Sequence, residues 1–293
     1  MNKQYSLYLG DNPFFGVNHL SQEFARKKAE QSQDFENIKQ VMNFSLSMGI
    51  KKMVVSTHPE LKDLMDYLKK SSNLINNFEF CPILPYIQGY VTKVNELGMI
   101  KTIQDIIGSS SLKHKIRILT KGSLGAIRKD FDSLFKVLLD LELVKLEKCK
   151  IKTVFLHDVI TDLALGLEMK NVFEIFHDYI KKSYSVECGL VTKNFPLLVS
   201  KLNEWNLEFP KIMTSFNKVG FQMNPSREKC EHALSEYQGE IIAMSILAGG
   251  FLQVKDAYQY LSKLQKISNV VIGVSSIEHA KKTFEIFLEK NKL

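Results

Sequence analysis

Short apolar runs that end in small or polar residues recur along the chain, and helical periodicity follows most of them. The clearest pair lies near the C-terminus, where residues 240–252 and 269–280 each pass from a continuous apolar run into a turn containing Gly or Ser. Such runs are too uniform to be half-solvated strands, so they are typical of strands buried in a parallel sheet. Repetition of this pattern predicts a (β/α) barrel, in which the residues just after each strand carry the chemistry.

The same pattern predicts eight strands. Helical segments separate most of them; one is 35–46, where apolar residues recur at three- and four-residue spacing. The predicted strands are Tyr5 to Leu9, Lys52 to Ser56, Glu79 to Leu84, Lys152 to Leu156, Ser185 to Leu190, Lys211 to Phe216, Glu240 to Ser245 and Val270 to Val274. Because a closed barrel of this class has eight strands, we predict an α/β fold of the (β/α)8 TIM-barrel type.

A ninth candidate strand, Ile116 to Thr120, conflicts with this count. Residues 98–147 otherwise keep helical spacing, so we predict a helical insertion after strand 3. Pro82 and Pro85 weaken strand 3, because a proline cannot donate to the ladder in the middle of a sheet. If residues 116–120 form the true strand, Lys121 lies at the barrel mouth and the chemistry of the site changes.

Length and composition suit one such barrel. The chain has 293 residues, of which 45% are hydrophobic, and no internal repeat or linker divides it, so we predict a single TIM-barrel domain over 1–293. No run reaches the roughly 18 apolar residues needed to span a bilayer, and no signal-peptide apolar region precedes the first strand. We expect a cytoplasmic protein with no membrane partner.

Cysteine spacing and charge argue against several other classes of protein. The four cysteines, at positions 81, 149, 188 and 230, form no Cys-x-x-Cys pair, so we predict reduced thiols and no metal site built from them. The net charge of +7 comes from lysines at helical intervals among acidic residues, which is typical of a solvated helix surface. We therefore expect a small-molecule substrate and no nucleic acid, and the sequence leaves a homo-oligomer open.

The loop after strand 1 is the richest in polar groups. Residues 10–23 place Asp11, Asn12, Asn18 and His19 around two phenylalanines and two glycines, which a purely connecting loop would not need. We predict that Asp11 is catalytic and that Asn12 and His19 bind substrate. The alternative is that Asp11-Asn12-Pro13 serves only as a turn.

Three further candidates follow strands 2, 3 and 4. His58 lies at the end of strand 2 and is a predicted catalytic residue, or else a helix-start residue. Tyr86 follows strand 3 and can donate a hydrogen bond to substrate, although packing is the alternative. His157 is the sharpest local signal, because an apolar strand delivers it to the rim as acid, base, donor or ligand. The alternative is a histidine that caps the barrel by bonding a backbone carbonyl. Asp158 is a predicted substrate-binding residue or a helix cap.

Polar residues also follow the later strands. We predict that Asn194 and Asn217 bind substrate. Ser245, Gly249, Ser275 and Ser276 are predicted cofactor-binding residues, because glycines and serines at helix starts can present backbone N–H groups to phosphate. Cys188 has no local activating neighbour and is interpreted as core packing.

The second half of the chain resembles the aldo-keto reductases. Phe155-Leu-His157 resembles their strand-four histidine motif, and Gly189-Leu-Val-Thr-Lys-Asn194-Phe195 resembles their Gly-Val-Ser-Asn-Phe strand end. Residues 242–247 and 271–276 resemble their strands seven and eight. The likeness runs from about residue 150 to the end, and it implies a barrel of the NADP-linked oxidoreductase type, with NADP as the implied cofactor.

The resemblance also implies a change of chemistry. The family uses a tyrosine acid supported by a lysine, an aspartate and a histidine; His157 matches the histidine, and Lys121 is a match for the lysine. Strand 2 has Val54-Val-Ser-Thr-His-Pro59 where the aspartate is expected, and no tyrosine follows it. A reductase of this kind would need another proton donor, such as His58, His19 or Tyr86.

Three functions compete at this stage. The leading hypothesis is a barrel enzyme related to aldo-keto reductases that acts on a small polar or phosphorylated metabolite, with His157 as acid/base or electrophile. The second is a metal-assisted lyase, isomerase or hydrolase using the same rim residues with a divalent metal, although no diagnostic ligand spacing is present. The third is a ligand-binding barrel that has lost catalysis.

Overall fold

Eight parallel strands form a closed ring in the computed structural model, which describes residues 4–15, 34–70, 72–86 and 131–288. The strands are β1 (Ser6–Gly10), β2 (Lys52–Ser56), β3 (Glu79–Leu84), β4 (two segments, Lys150–Ile151 and Thr153–Leu156), β5 (Glu187–Thr192), β6 (Lys211–Ser215), β7 (Glu240–Met244) and β8 (Ile267–Gly273). Each strand pairs in parallel with the next, and β8 pairs with β1 to close the ring. The predicted (β/α)8 TIM barrel is confirmed.

Helices pack around this ring. They are α1 (Phe35–Ser47), α2 (Leu61–Leu68), α3 (Ser72–Asn77), α4 (Phe131–Val144), α5 (Asp158–Gly166), α6 (Lys170–Tyr184), α7 (Phe195–Trp205), α8 (Arg227–Glu236), α9 (Val254–Ser262) and α10 (Ile277–Leu288), with short 3₁₀ turns at Asn12–Phe15 and Ala248–Gly250. Within these described ranges, no helix is both long and apolar enough to cross a membrane.

The predicted insertion after strand 3 is described only in part. Its segment 131–144 forms α4, whereas residues 98–130, including the ninth candidate strand at 116–120 and Lys121, lie outside the described residues. The ring closes with the eight strands above. The assignment of 1–293 to a single domain stays a prediction.

The core has two layers. The smaller fills the barrel interior with buried side chains, namely Tyr8, Val54, Cys81, Phe155, Val191, Met213 and Ile242. The larger lies between the strands and the helices, and it includes Cys188, which packs there as a buried thiol. All four cysteines are free. The strict alternation of the strands between these layers explains why their sequences read as continuous apolar runs.

Pro82 lies inside β3, where the sequence suggested a weak strand. The ladder between β3 and β4 carries one extra residue on the β4 side, because Glu79 pairs with Lys150 whereas Ile83 pairs with Phe155. A bulge is where a sheet tolerates a residue that cannot donate, so the proline is accommodated without loss of the strand. The bulge also divides β4 into its two segments.

Paired charges close the N-terminal end of the barrel, opposite the mouth. Lys211 lies 2.9 Å from Glu187 and 3.5 Å from Glu240, and the Lys150 ammonium lies 2.8 Å from Glu79. A cavity at this end is lined by both polar and apolar residues, including Asn76, Asn269 and Ile50. These charges pair with one another, and this end of such barrels contributes stability rather than chemistry, so the candidate site lies at the opposite end.

Candidate active site

His58 and His157 lie at the same height above the barrel. Ser56, Ile83 and Phe155 pair across β2, β3 and β4, and each histidine follows its strand two residues beyond this level. The His157 N–H continues the ladder by donating to the Leu84 carbonyl at 3.0 Å. Two strands separated by one neighbour are roughly 9–10 Å apart, since strands lie about 4.8 Å from each other. Both imidazoles therefore border the same small mouth.

His157 is held by a chain of charged contacts. Its Nδ1 lies 2.7 Å from Oδ1 of Asp158, and Oδ2 of Asp158 lies 2.9 Å from the Lys193 ammonium. The His157 side chain is 24% exposed, whereas that of Asp158 is 12% exposed. Burial opposes ionisation of Asp158, but its contacts with His157 and Lys193 outweigh burial and hold the pKa of the carboxyl well below its ordinary value. Asp158 is thus an ionised carboxylate at neutral pH.

An ionised Asp158 fixes the tautomer of His157. The Val159 N–H also points at Nδ1 of His157, at 3.2 Å, as a helix cap would. One nitrogen cannot both accept this N–H and donate to Asp158. A lone pair at 2.7 Å from a carboxylate oxygen would be repulsive, so we assign the proton to Nδ1, donating to Asp158. Nε2 then carries the lone pair of the neutral ring and can accept a proton.

A second carboxylate, that of Asp162, fixes the position of Lys193. Asp162 lies one turn after Asp158 on α5, accepts the Thr192 hydroxyl hydrogen bond, and accepts the Lys193 N–H at 3.0 Å. Burial raises the pKa of Asp162 above its ordinary value. The contacts fix the end of β5 against α5, and so fix the ammonium of Lys193 next to Asp158. Sequence reasoning selected neither Asp162 nor Lys193, although the four-residue spacing of the two aspartates on one helix face was a usable signal.

Asp11 joins the ends of β1 and β2. Its Oδ2 accepts hydrogen bonds from the Ser56 N–H at 2.6 Å and from the Ser56 hydroxyl at 2.8 Å, and the residue is 3% exposed. Burial raises the pKa of Asp11 to about 7, against the lowering effect of these hydrogen bonds. Ser56 is at the end of strand 2, where the family resemblance leads one to expect an aspartate. Asp11 brings a carboxyl group to this place from the neighbouring strand.

His58 lies in an aromatic pocket at the mouth. Its ring stacks on Phe15 with centroids 5.0 Å apart, and it meets Tyr86 edge to face, also at 5.0 Å. Burial, assisted by the Lys145 ammonium, lowers the pKa of His58 below its ordinary value, and the Glu60 carboxylate offsets part of this effect. His58 is therefore a neutral ring near pH 7. Burial raises the pKa of Tyr86, which stays a phenol.

The other predicted substrate-binding residues are placed differently. Asn12 is exposed on the 3₁₀ turn after β1. Asn194 begins α7 and donates its backbone N–H to Thr192 Oγ1 at 2.9 Å. The Asn217 side chain donates to the Phe221 carbonyl and accepts its N–H, each at 2.8 Å, so it closes its own loop. His19 lies outside the described residues.

A buried hydroxyl group at the mouth offers a further polar contact. Ser215 ends β6 and is 1% exposed, two residues beyond the interior residue Met213. Among the described residues its Oγ has no hydrogen-bond partner. Buried polar atoms are normally satisfied, so this hydroxyl is available to a polar ligand or to water.

The loops after β7 and β8 were the predicted cofactor site. Ser245 has a φ of +53°, and its hydroxyl donates to Gln222 at 3.4 Å. Gly249 has a φ of +71° in the tight turn that follows, where the N–H groups of Ala248 and Gly250 donate within the loop. The turn therefore uses these donors internally.

The predicted residues after β8 are likewise engaged. Ser275 Oγ lies 3.0 Å from Nδ1 of His279, and Ser276 Oγ accepts the His279 N–H at 3.3 Å as the cap of α10. Glu278, in the first turn of α10, is acidic where a phosphate would bind. The described residues do not fit a phosphate cradle for NADP. No group of three metal-ligating side chains occurs among the residues that the structure describes.

Comparison with solved structures finds the same barrel fold in other proteins. A Pseudomonas aeruginosa protein assigned to the aldo-keto reductases is similar over 97% of this chain and 90% of its own, at 14% identity and a TM-score of 0.61. A holo-form aldo-keto reductase of Bacillus halodurans covers 100% of this chain and 93% of its own, at 11% identity and a TM-score of 0.58. A thermostable aldo-keto reductase bound to the inhibitor epalrestat is similar over 98% of this chain and 91% of its own, at 13% identity and a TM-score of 0.59.

At these identities the likeness concerns the fold. The chain has an aldo-keto-reductase-like (β/α)8 barrel, as the motifs of its second half indicated. No protein-family model and no curated protein sequence matches the chain. A shared fold does not fix the chemistry, which depends on the residues at the site.

Proposed function

We propose that this protein is an enzyme with an aldo-keto-reductase-like barrel that acts on a small polar metabolite, phosphorylated or not, with His157 as its general acid and base. The observation that carries the proposal is the 2.7 Å contact between His157 and Asp158, itself supported by Lys193. A base oriented by a carboxylate, at the strand ends where such barrels perform catalysis, is a recurring catalytic arrangement.

Each of these three side chains has a separate task. Lys193 holds Asp158 in place and in its ionised form. Asp158 accepts the Nδ1 proton of His157 and stabilises the imidazolium that forms when His157 accepts a second proton. Nε2 of His157 removes a proton from the substrate and returns it later in the cycle. General acid–base catalysis of this kind contributes roughly 10²–10⁴-fold to a rate.

The remaining rim residues would bind and orient the substrate. Asp11 has a pKa close to 7, so it can offer either a hydroxyl donor or a carboxylate acceptor near neutral pH. His58 and Tyr86 supply a half-buried polar and aromatic wall. Asn12 and the hydroxyl of Ser215 add further polar groups. A pocket with a few fixed polar groups among apolar rings suits a small metabolite.

Reduction by a nicotinamide cofactor is the second candidate function. The likeness of the fold to aldo-keto reductases favours it. Two features weigh against it. No tyrosine closely follows β2 in the sequence, and the hydroxyls of the predicted cofactor-binding serines after β7 and β8 already make hydrogen bonds within the protein. We therefore rank it below acid–base chemistry that needs no cofactor.

One assay separates the two. Purified protein is incubated with a panel of small carbonyl, hydroxy-carbonyl and sugar-phosphate compounds, with and without NADPH, and conversion is followed by proton NMR. Conversion without NADPH supports the proposal, whereas conversion that requires NADPH supports the reductase. The substitution His157→Gln removes titration but keeps hydrogen bonding, and it should reduce turnover by roughly 10²–10⁴-fold.

The chain offers a matched control for this substitution. His177 and Asp178 form a second His–Asp dipeptide on α6, with Nδ1 and Oδ1 3.3 Å apart, away from the mouth. His177→Gln should leave turnover unchanged. Equal turnover in His157→Gln and the wild type, with a native circular dichroism spectrum, would refute the role of His157.

A further inference from the structure

We propose that His58 holds the carbonyl oxygen of the substrate through its Nε2–H, so that the substrate is a small carbonyl compound with an acidic C–H next to the carbonyl group. This inference rests on the proposed function, in which His157 is the base. It adds the class of substrate and assigns the second histidine of the mouth a task opposite to that of the first.

The hydrogen bonds of His58 fix its tautomer. Nδ1 accepts the backbone N–H of Glu60 at 3.3 Å. Within the described part of the chain, one carboxylate oxygen lies within 4.0 Å of this nitrogen: Oε2 of Glu60, at 3.7 Å, which is too far for a hydrogen bond. A neutral ring whose Nδ1 accepts must carry its proton on Nε2. Nε2 of His58 is thus a donor, whereas Nε2 of His157 is an acceptor.

The surroundings of His58 keep the ring neutral. Phe15 covers one face, and Tyr86 packs against the ring from the end of β3. The ammonium of Lys145, which follows α4, donates to the backbone carbonyl of Thr57, the residue before His58, at 2.8 Å. Among the described acidic side chains, Glu60 alone pairs with His58. Burial and Lys145 outweigh Glu60 in lowering the pKa of His58. A neutral imidazole can donate to an oxygen without first protonating it.

The spacing of the two rings suits one small substrate. His58 and His157 border the mouth from strands that flank β3, with backbones roughly 9–10 Å apart. A substrate of a few ångströms can therefore contact both residues at once.

The step balances without any additional reactant. His157 Nε2 takes the proton from the carbon next to the carbonyl group, and the electron pair of that C–H bond forms a carbon–carbon double bond. The carbonyl π electrons move to the oxygen, where the Nε2–H of His58 stabilises the developing negative charge. Fixed donors at such an oxygen are worth roughly 10²–10³-fold in rate. Solvent can replace the proton on His157 before it returns. Return to the same carbon then gives isotope exchange, and return to the former carbonyl carbon of a hydroxy-carbonyl gives isomerisation, with the hydroxyl proton passing to the former carbonyl oxygen.

Exchange in D2O tests this inference directly. Wild-type protein is incubated without nicotinamide with dihydroxyacetone, dihydroxyacetone phosphate or hydroxyacetone, and loss of the proton signal next to the carbonyl is measured by NMR. We expect exchange with at least one of these probes. His58→Phe keeps the aromatic stack but lacks the donor, so it should slow exchange by roughly 10²–10³-fold. His58→Gln retains an N–H donor and should retain most of the rate.

The outcomes separate this inference from the proposed function. Loss of exchange in His157→Gln together with unchanged exchange in His58→Phe would overturn the role of His58 and leave His157 as the base. Absence of exchange with all three probes would overturn the substrate class. If His58→Phe folds poorly, a measurement on the wild-type protein still tests the inference. The infrared carbonyl stretch of dihydroxyacetone phosphate should move to lower wavenumber when the compound binds. An unshifted stretch would overturn the proposed hydrogen bond.

Discussion

Oδ1 of Asp158 lies 2.7 Å from Nδ1 of His157, its neighbour in the chain. The same aspartate begins α5 and reaches the ammonium of Lys193 at the end of β5. Two consecutive residues thus connect two strands of the barrel and leave one imidazole nitrogen available as a base. The functional account depends on this relationship, and each member of it can be changed separately.

Asp158→Asn should lower turnover by about 10²-fold, within the range expected for loss of an oriented base. The asparagine amide can donate to Nδ1 of His157, and that would move the ring proton to Nε2. Nε2 could then no longer accept a proton, although the side chain at position 158 keeps its shape. Turnover on the compound identified by the panel is the measurement. Asp178→Asn, in the matched dipeptide on α6, is the control and should be silent. Full activity in Asp158→Asn would contradict the orienting role.

Asp11→Asn should change the pH dependence of stability. The pKa of Asp11 in the folded protein is about 7, whereas that of an aspartate in the unfolded chain is about 4. The native state therefore binds the proton more tightly, and this stabilisation is complete below pH ~4 and is lost as the pH rises through about 7. Wild type should lose on the order of a few kcal/mol of unfolding free energy across this window, and Asp11→Asn should lose less.

Urea unfolding at pH 5 and pH 8 checks the Asp11 prediction. The control is Asp63→Asn, because Asp63 is exposed on α2 and should leave the pH dependence as it is in wild type. An identical pH dependence in wild type and Asp11→Asn would show that the buried carboxyl has no raised pKa.

Gly189→Ala should destabilise the barrel by about 1–3 kcal/mol or more, as overpacking does. A Cβ at Gly189 would lie 2.5 Å from the Phe155 ring and 2.8 Å from the Lys211 carbonyl oxygen, and neither the packed ring nor the backbone can yield cheaply. Gly166→Ala is the control, because its Cβ would meet nothing within 4 Å. Thermal unfolding compares the two. Equal melting temperatures would mean that Phe155 does not occupy the space above Gly189.

Lys211→Met should cost about 1–2 kcal/mol of stability, because it removes the cation that two partly exposed carboxylates share, and solvent screens the charges that remain. Lys211 is 8% exposed and lies between the carboxylates of Glu187 and Glu240. Lys182→Met removes an exposed ion pair on α6 and should change stability by less than about 1 kcal/mol. Chemical denaturation measures both variants. An unchanged free energy of unfolding in Lys211→Met would show that the charges at the N-terminal end of the barrel do not depend on one another.

The order of the elements could be predicted from the sequence because buried parallel strands leave a strong pattern. All eight strands were found, and two of them, Lys52–Ser56 and Glu79–Leu84, have the predicted bounds. The other six are shifted by one to three residues at one or both ends, since an apolar run does not mark where pairing stops. The bulge opposite Pro82 could not be predicted, because it depends on the register between β3 and β4.

The candidate site was only partly predictable for the same reason. His157 is prominent because an ionisable ring ends an apolar strand. Lys193 and Asp162 are not, because their importance comes from contacts with residues about 30 positions away in the chain. Asp11 was selected from its loop composition, but its bonds to Ser56 required the pairing of β1 with β2. Whether these residues act on a substrate stays a prediction.

The most direct test of the account is the proton position on His157. Long-range proton–nitrogen correlation spectra of the wild-type protein, recorded where the imidazoles are neutral, report the tautomer of each of the seven histidines. Signals are assigned by loss in His157→Gln and His58→Gln. We predict the His157 proton on Nδ1, bonded to Asp158, and the His58 proton on Nε2. A His157 ring with its proton on Nε2 would leave no base facing the mouth and would contradict the account.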